Sequence, residues 1–291
     1  MHAKISRCGG AMARVVVVFD FDKTLIDCDS DNWVVEQLGV DDTFLHLLPT
    51  LPWNSLMDQM MIEIHSRKKT IQDIAECLRQ VPLHPRIISA IQSAHASGFD
   101  LRIVSDANTF FIETILKHYG LMDCFSEIYT NPTYVDTEER LRISQYHDPR
   151  TSSHGCTICP PNMCKGIVMD RIRASVSAEG GKKRFIYVGD GSPDFCATLK
   201  LKEEEFVMPR KDFPLWEFIC SNKNLIKAKI LEWSDGEELG TRLLSLINTI
   251  LIEEKCSVRT DLVVVPVDCK FQTGSISSHD SYTRDVLQVP R

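Results

Sequence analysis

Val15-Val16-Val17-Val18-Phe19-Asp20-Phe21-Asp22-Lys23-Thr24 is the stretch on which the fold turns. A β-branched run that ends in acidic and small residues is the pattern of a buried parallel strand delivering a functional loop at its C-terminal end. The same form recurs twice. Phe99 to Val104 follows Gly98 and runs into Ser105-Asp106, and Arg184 to Val188 runs into Gly189-Asp190-Gly191. Helical patterns lie between these strands: Asn108 to Tyr119, with Phe111, Ile112, Ile115 and Leu116 on one face, and Met163 to Ser175, with Ile167, Val168 and Ile172. Strand, loop and helix in repetition predict an α/β fold, an open parallel sheet with helices on both faces. Ligands in such sheets bind at the carboxyl ends of the strands, where all three polar loops fall.

Residues 28–85 break the alternation. They hold helix-like segments at Asp31 to Leu38, Trp53 to His65 and Thr70 to Gln80, the last opened by a Thr70-x-x-Asp73 cap. A small helical cap inserted after the first strand is a natural lid, so the expected division is a core of residues 14–27 and 86–254 with a cap of 28–85. Residues 131–150 read as a hairpin excursion, and Thr241 to Ile252 as a last amphipathic helix. Residues 1–13 form an N-terminal extension, and 255–291 are expected to be a poorly ordered polar tail.

Composition narrows the function. With 43% hydrophobic residues, 291 positions suffice for a full domain and a smaller one. A net charge of -7 gives no general attraction to nucleic acid or anionic lipid, so neither partner is expected and small-molecule chemistry is the default. The chain has 11 cysteines, an odd number, and the apolar run near its start is too short for a signal-peptide core. Reduced thiols and a cytoplasmic location are therefore expected.

Asp20 and Asp22 stand two residues apart where a strand stops, and Gly189-Asp190-Gly191-Ser192-Pro193-Asp194 repeats the arrangement after another strand. If Asp20, Asp22, Asp190 and Asp194 share a pocket opposed only by Lys165, the site is strongly anionic before a phosphate arrives. Two unit charges about 4 Å apart cost on the order of 4 kcal/mol at an effective dielectric near 20, so such a pocket needs a cation. Hard oxygen ligands together with phosphate point to Mg²⁺.

Asp20-Phe21-Asp22-Lys23-Thr24, Ser105, Lys165 and the 189–194 loop resemble, in order and spacing, the signature loops of haloacid dehalogenase-like phosphatases. More narrowly, residues 20–34, Ser105 to Asn108, His154 to Gly166 and Tyr187 to Cys196 resemble the phosphoethanolamine/phosphocholine phosphatase group, including its plant thiamine phosphate phosphatase-like and inorganic pyrophosphatase-like members. The resemblance spans roughly residues 13–254. It implies that Asp20 is the nucleophile of an aspartyl-phosphate mechanism and Asp22 the general acid/base. It implies a Mg²⁺ site of Asp20, the Asp22 carbonyl and Asp190, with Ser105 and Lys165 on the phosphoryl oxygens. Asp194 would orient Lys165 or a metal-bound water. Ser192 and Pro193 sit where the family varies, and no role is carried over to them.

Asp31 and Asp106 match acidic positions linked to substrate selection in the same group. Neither serves phosphoryl chemistry, and extra negative charge makes sense for a cationic leaving group such as ethanolamine, choline or the thiazolium of thiamine monophosphate. Trp33 could add a cation-π contact. Thr24 and Asn108 complete the expected substrate contacts. The competing reading for Asp31 is that it charges the first turn of its helix. Inorganic pyrophosphate and pyridoxal phosphate are alternative substrates, and a phospho-accepting signalling domain is the alternative of a different class. Against the last, Asp22 promotes turnover where a signalling domain must preserve its acyl-phosphate.

His154-x-Cys156-x2-Cys159-x4-Cys164 offers four soft ligands in eleven residues. Zinc is one reading, but the spacing departs from that of zinc knuckles and Cys164 directly precedes Lys165. Structural or redox-sensitive thiols are the favoured expectation. Cys28 and Cys196 are read as packing cysteines.

Overall fold

The valine run forms β1 (Val15–Phe19), whose side chains are all at most 1% exposed. Burial of each such side chain contributes about 1.5–3 kcal/mol, which is why this segment sits at the centre of the sheet. The computed structural model describes residues 15–147, 154–178 and 183–260, with the side chains of 254–260 left aside. The N-terminal extension therefore lies outside the described residues, as does the tail beyond 260.

β1 is flanked by β2 (Asp100–Asn108) and β6 (Arg184–Gly189), both parallel to it, with Phe19 opposite Ile103 on one side and Val188 on the other. β3 (Phe125–Asn131) extends the sheet beyond β2, while β7 (Phe206–Pro209) and the short β8 (Lys229–Ile230) extend it beyond β6. The order is β3-β2-β1-β6-β7-β8 and every pairing is parallel. The chain winds outward in one direction from β1 through β3, then returns to β1's other side at β6. That reversal is a topological switch point, and it opens a crevice at the carboxyl ends of the strands beside Asp20.

Helices cover the sheet as the periodicity predicts. α5 (Pro85–Ala96) leads into β2 and α6 (Thr109–His118) follows it. On one face Val16, Val18 and Tyr187 join Val168, Met169 and Ile172 of α7 (Lys165–Ala178) in one core cluster. α8 (Asp194–Thr198) and α9 (Pro214–Ser221) follow the loops after β6 and β7.

Between β1 and α5 lie α1 (Ser30–Gln37), α2 (Asp41–Leu47), α3 (Trp53–Ser66) and α4 (Ile71–Leu78). α2 was not anticipated. The expected Thr70/Asp73 capping box is present on α4. The excursion after β3 is an antiparallel hairpin of β4 (Thr133–Val135) and β5 (Leu141–Ile143). It is tied to α3 through Asp58, which accepts from Arg142 Nε at 2.9 Å and from the Ile143 amide at 2.9 Å.

Two boundaries differ from expectation. β2 runs past Val104 to Asn108, where it rejoins β3 opposite Asn131 after an irregularity in register. The last helix, α10 (Gly236–Thr260), starts earlier and ends later than Thr241 to Ile252. Asp235 and Glu238 cap its start, the Glu238 amide donating to Asp235 Oδ1 at 2.9 Å and the Ser234 amide to Glu238 Oε2 at 2.9 Å. No glycine or proline interrupts residues 241–260, so residues 255–260 continue the helix instead of opening the tail. The chain divides at Thr249 and Ile250 into two compact units; the sheet, the inserted helices and the hairpin belong to the first, and the described part of the second is the end of α10. Among the described residues no helix is long and apolar enough to cross a membrane.

Candidate active site

β1 ends where its ladder makes one further bond, from the Asp20 amide to the Val188 carbonyl at 2.8 Å. This fixes Asp20 beside the loop after β6. Its carboxylate, 7% exposed, accepts through Oδ1 from the Phe21 amide at 2.7 Å and from Lys165 Nζ at 2.8 Å. Lys165 opens α7 and is itself buried, with Asp194 Oδ1 as its second partner at 2.9 Å.

Asp194 is fully engaged. Oδ1 also accepts from the Tyr187 hydroxyl at 2.6 Å, while Oδ2 takes the amides of Asp190 at 3.1 Å and Gly191 at 2.9 Å. A Cβ at position 189 would stand 2.5 Å from Asp194 Oδ2, so the approach of this loop to the carboxylate requires glycine. Asp194 thus holds Lys165 and the 189–191 backbone at once.

Asp190 is 5% exposed, and its Oδ1 accepts from Thr24 Oγ1 at 3.0 Å. Carboxylate oxygens of Asp20, Asp190 and Asp194 all lie within 4.8 Å of one another. Among the described residues only Oδ1 is engaged in Asp20 and in Asp190, leaving one hard oxygen on each. Two such oxygens beside each other fit a hard divalent cation. Asp194, with both oxygens taken, does not offer a free ligand.

Asp22 stands apart from this cluster, anchored by the Ser30 amide at 3.0 Å on Oδ1. Ser105, 1% exposed, accepts the Ala107 amide at 3.2 Å on Oγ, which leaves its hydroxyl proton free to donate. These groups line one cavity of about 150 Å³, with six aspartates and two lysines in its wall. Such a volume suits a small phosphate-bearing group.

The electrostatics follow from that crowding. Burial, then Asp194, raises Asp20 well above the usual carboxylate range, with Lys165 opposing. Burial and then Asp194 bring Asp190 to about 6. Burial alone would lower Lys165, but Asp194, Asp20 and Asp106 outweigh it and hold the ammonium well above its ordinary value. Burial, then Asp29 and Asp31, raises Asp22. The pocket binds protons tightly because its carboxylates are buried and outnumber its lysines, an excess that a divalent cation would offset.

Asp31 and Asp106 also line the cavity. Asp31 is buried and Asp106 half-buried, and the Oδ1 of each is shut off from water without a hydrogen-bond partner. Asp31 Oδ2 accepts from Trp53 Nε1 at 2.7 Å. Burial, then Asp29, brings Asp31 to about 7, and burial raises Asp106.

Three expected substrate contacts are placed elsewhere. Trp33 does not reach the cavity; its indole donates to the Cys77 carbonyl at 3.1 Å, joining α1 to α4. The tryptophan in the wall is Trp53. Asn108 caps α6 by accepting the Phe111 amide at 3.0 Å, and Thr24 braces Asp190 instead of lining the pocket. Helical periodicity places Trp33 on α1 but cannot tell which face meets another helix.

Other contributors carried no sequence signal. Asn131 at the end of β3 donates to the carbonyls of Asp106 and Ala107 at 2.6 and 2.8 Å, and so holds the irregular stretch of β2 that aims Asp106. Ser30 and Tyr187 brace Asp22 and Asp194. Asn131 acts across two strands 25 residues apart, while Ser30 and Tyr187 act within eight residues of their partners through loop geometry that spacing alone does not reveal.

Comparison with known proteins agrees with this geometry. Residues 15–247 match the family described as Putative Phosphatase. The chain is 56% identical over 243 residues to a thiamine phosphate phosphatase-like protein of Arabidopsis thaliana, covering 84% of this chain and 99% of that one. It is 53% identical over 276 residues to inorganic pyrophosphatase 2 of the same plant, covering 95% and 96%. Among solved structures, a haloacid dehalogenase family hydrolase of Salmonella enterica serovar Typhi superposes with a TM-score of 0.51 at 14% identity, over 78% of this chain and 69% of that one, a likeness of fold.

Proposed function

The chain belongs to the Putative Phosphatase family of haloacid dehalogenase-like phosphatases, and on that premise we propose that it is a Mg²⁺-dependent phosphatase acting through an aspartyl-phosphate on Asp20, with a small phosphomonoester of cationic leaving group as substrate. The observation that carries the reading is the pairing of Asp20 with Lys165 at 2.8 Å while Asp22 is held separately on the Ser30 amide. A nucleophile and an acid with independent supports can act at opposite ends of one P–O bond.

Asp20 attacks phosphorus and the ester oxygen departs, taking a proton from Asp22. The raised affinity of Asp22 for its proton suits it to that donation, and anchoring of Oδ1 leaves Oδ2 to carry the proton. Asp22, now a carboxylate, then takes a proton from the water that hydrolyses the acyl-phosphate. Ser105 and Lys165 donate to the phosphoryl oxygens as charge spreads over them. Asp20 and Asp190, with the Asp22 carbonyl, would hold Mg²⁺, which when bound neutralises phosphoryl charge. On this reading α1 to α4 form a cap beside the sheet and its covering helices, and the β4–β5 hairpin is tied to α3.

The test is multiple turnover of a generic aryl phosphate with Mg²⁺, stopped by chelation and restored by Mg²⁺. Product limited to one equivalent per chain would indicate a phospho-accepting domain instead. For Asp22→Asn, loss of the proton donor should lower kcat by about 10²–10⁴-fold on alkyl esters and distinctly less on an activated aryl ester. Equal losses on both would remove Asp22 from the acid role.

The leaving-group assignment rests on the two buried carboxylate oxygens, in Asp31 and Asp106, that lack a partner. Leaving them without a partner costs free energy unless a bound cation satisfies them. Trp53, which donates to Asp31, is placed to supply the aromatic contact expected of Trp33. Asp31→Asn and Asp106→Asn should each lower kcat/KM for a cationic ester by about tenfold per 1.4 kcal/mol removed, with less change for a neutral ester of similar size. Asp31, raised to about 7, is protonated below that pH and charged above it. The ratio of kcat/KM for cationic over neutral ester should thus fall as pH drops through 7, and Asp31→Asn should flatten it.

Pyrophosphate is the second reading, favoured by the 53% identity to a pyrophosphatase. Its leaving group is anionic, so Asp31 and Asp106 would oppose it. Turnover of pyrophosphate against phosphoethanolamine, phosphocholine and thiamine monophosphate separates the two.

A further inference from the structure

Beside the phosphate pocket, four cysteines from two segments converge. Cys156, Cys159 and Cys164 precede α7, and Cys196 comes from α8; their sulfurs all lie within 4.8 Å of one another. Four sulfurs held about 2.3 Å from one zinc ion stand roughly 3.8 Å apart, the edge of the tetrahedron. The distances here are 3.8 Å from Cys156 Sγ to Cys196 Sγ and 3.7 Å from Cys164 Sγ to Cys196 Sγ. A disulfide would need about 2.05 Å, and the four thiols are free.

We propose that Cys156, Cys159, Cys164 and Cys196 bind one structural Zn²⁺ ion. On this assignment Cys196, which packs with Cys159 and Cys164, is also a ligand, and His154 is not. Its Nε2 lies 2.9 Å from the Pro160 carbonyl and its Nδ1 accepts the Cys156 amide at 3.1 Å, so it supports the loop and not the ion. Cys196 supplies the fourth corner, 32 residues beyond Cys164.

Binding by four thiols releases four protons and leaves a centre of charge -2, which backbone amides must offset. They are present. The Ile158 amide donates to Cys156 Sγ at 3.4 Å, and those of Gly166 and Ile167 donate to the sulfurs of Cys196 and Cys164. A Cβ at Gly166 would lie 2.5 Å from Cys196 Sγ, so this approach of backbone to sulfur requires glycine. The S₄ set is diagnostic of zinc or iron, and a tetrahedron closed by four protein ligands is structural.

The position gives the ion a purpose. Cys164 immediately precedes Lys165, and Cys196 lies two residues after Asp194. Zinc would thus clamp the start of α7 to α8 just behind the Lys165–Asp194 ion pair. The proposal is independent of the phosphatase reading, since its readout is bound metal.

The experiment is elemental analysis of the full chain purified under reducing conditions and passed through EDTA, which strips Mg²⁺. About one zinc per chain is expected. Cys156→Ser and Cys159→Ser should retain less than about a fifth of it, whereas His154→Ala keeps it. If the serine variants fail to fold, the wild-type chain decides: an organomercurial thiol reagent should release zinc in step with thiol modification, and cobalt in its place should give the thiolate charge-transfer and intense visible bands of a tetrahedral site. Iron in place of zinc, zinc kept by both serine variants, zinc lost from a folded His154→Ala, or a chain that neither carries zinc nor yields the cobalt spectrum would overturn the assignment.

Discussion

Asp20→Asn is expected to abolish turnover, with kcat reduced by about 10⁴-fold or more, because an amide cannot form the acyl-phosphate. The fold should survive. Asparagine matches the volume of aspartate, its Oδ1 can still accept the Phe21 amide, and Lys165 keeps Asp194. In metal-free protein the variant should be as stable as wild type or more so, since the substitution removes one of three carboxylates confined within 4.8 Å. The pH dependence has a definite sign. Asp190 rises from 3.8 to about 6 on folding, so the folded chain holds that proton more tightly and metal-free stability falls as pH rises through this window. Mg²⁺ should therefore raise Tm most above pH 6 in wild type, and much less in Asp20→Asn. Thermal melts with and without Mg²⁺, beside a turnover assay, check both halves. A retained tenth of the wild-type rate would reject Asp20 as nucleophile.

Lys165→Met is the second large effect, and it acts on stability as well as rate. Lys165 is 2% exposed, and its ammonium lies within 3 Å of carboxylates on both sides. Its removal leaves Asp20, Asp190 and Asp194 buried with only the half-exposed Lys23 as a countercharge in the cavity wall. Breaking a buried pair in this way costs about 3–5 kcal/mol. For a chain of this size that is about 10 °C in Tm. Excess Mg²⁺ should recover part of the loss by supplying the missing charge, but not the rate. Loss of a donor to the transferring phosphoryl group should lower kcat about 10²–10³-fold. A Tm within about 2 °C of wild type, together with a rate within tenfold, would show that Lys165 is neither the keystone of the pocket nor a phosphoryl ligand.

These two residues illustrate what local pattern reveals. Asp20 is legible because a buried strand stops at a carboxylate, and the period of the sequence carries that information directly. Lys165 is legible only through resemblance: a lysine at the start of a helix looks like any other until its burial between Asp20 and Asp194 is known. The α/β architecture was readable because the three central strands and the helices after two of them each announce themselves within a dozen residues. The end of α10 was misjudged because polar residues after Ile252 resemble a tail, whereas continuous helix propensity without a breaker carries the helix on.

By itself the sequence determined the parallel strands around Asp20, the helical character of the insert, the acidic loops at two strand ends and the anionic excess that calls for a cation. All depend on periodicity, chain order and charge, which are properties of the chain before it folds. Only the tertiary structure decided that Trp53 and not Trp33 meets Asp31, that Asn108 caps a helix, that Asn131 braces the Asp106 bend, and that Cys196 completes a set of four sulfurs from which His154 is excluded. Each of these depends on which faces of separate elements meet, and sequence spacing says nothing about the distance between residues that only packing brings together.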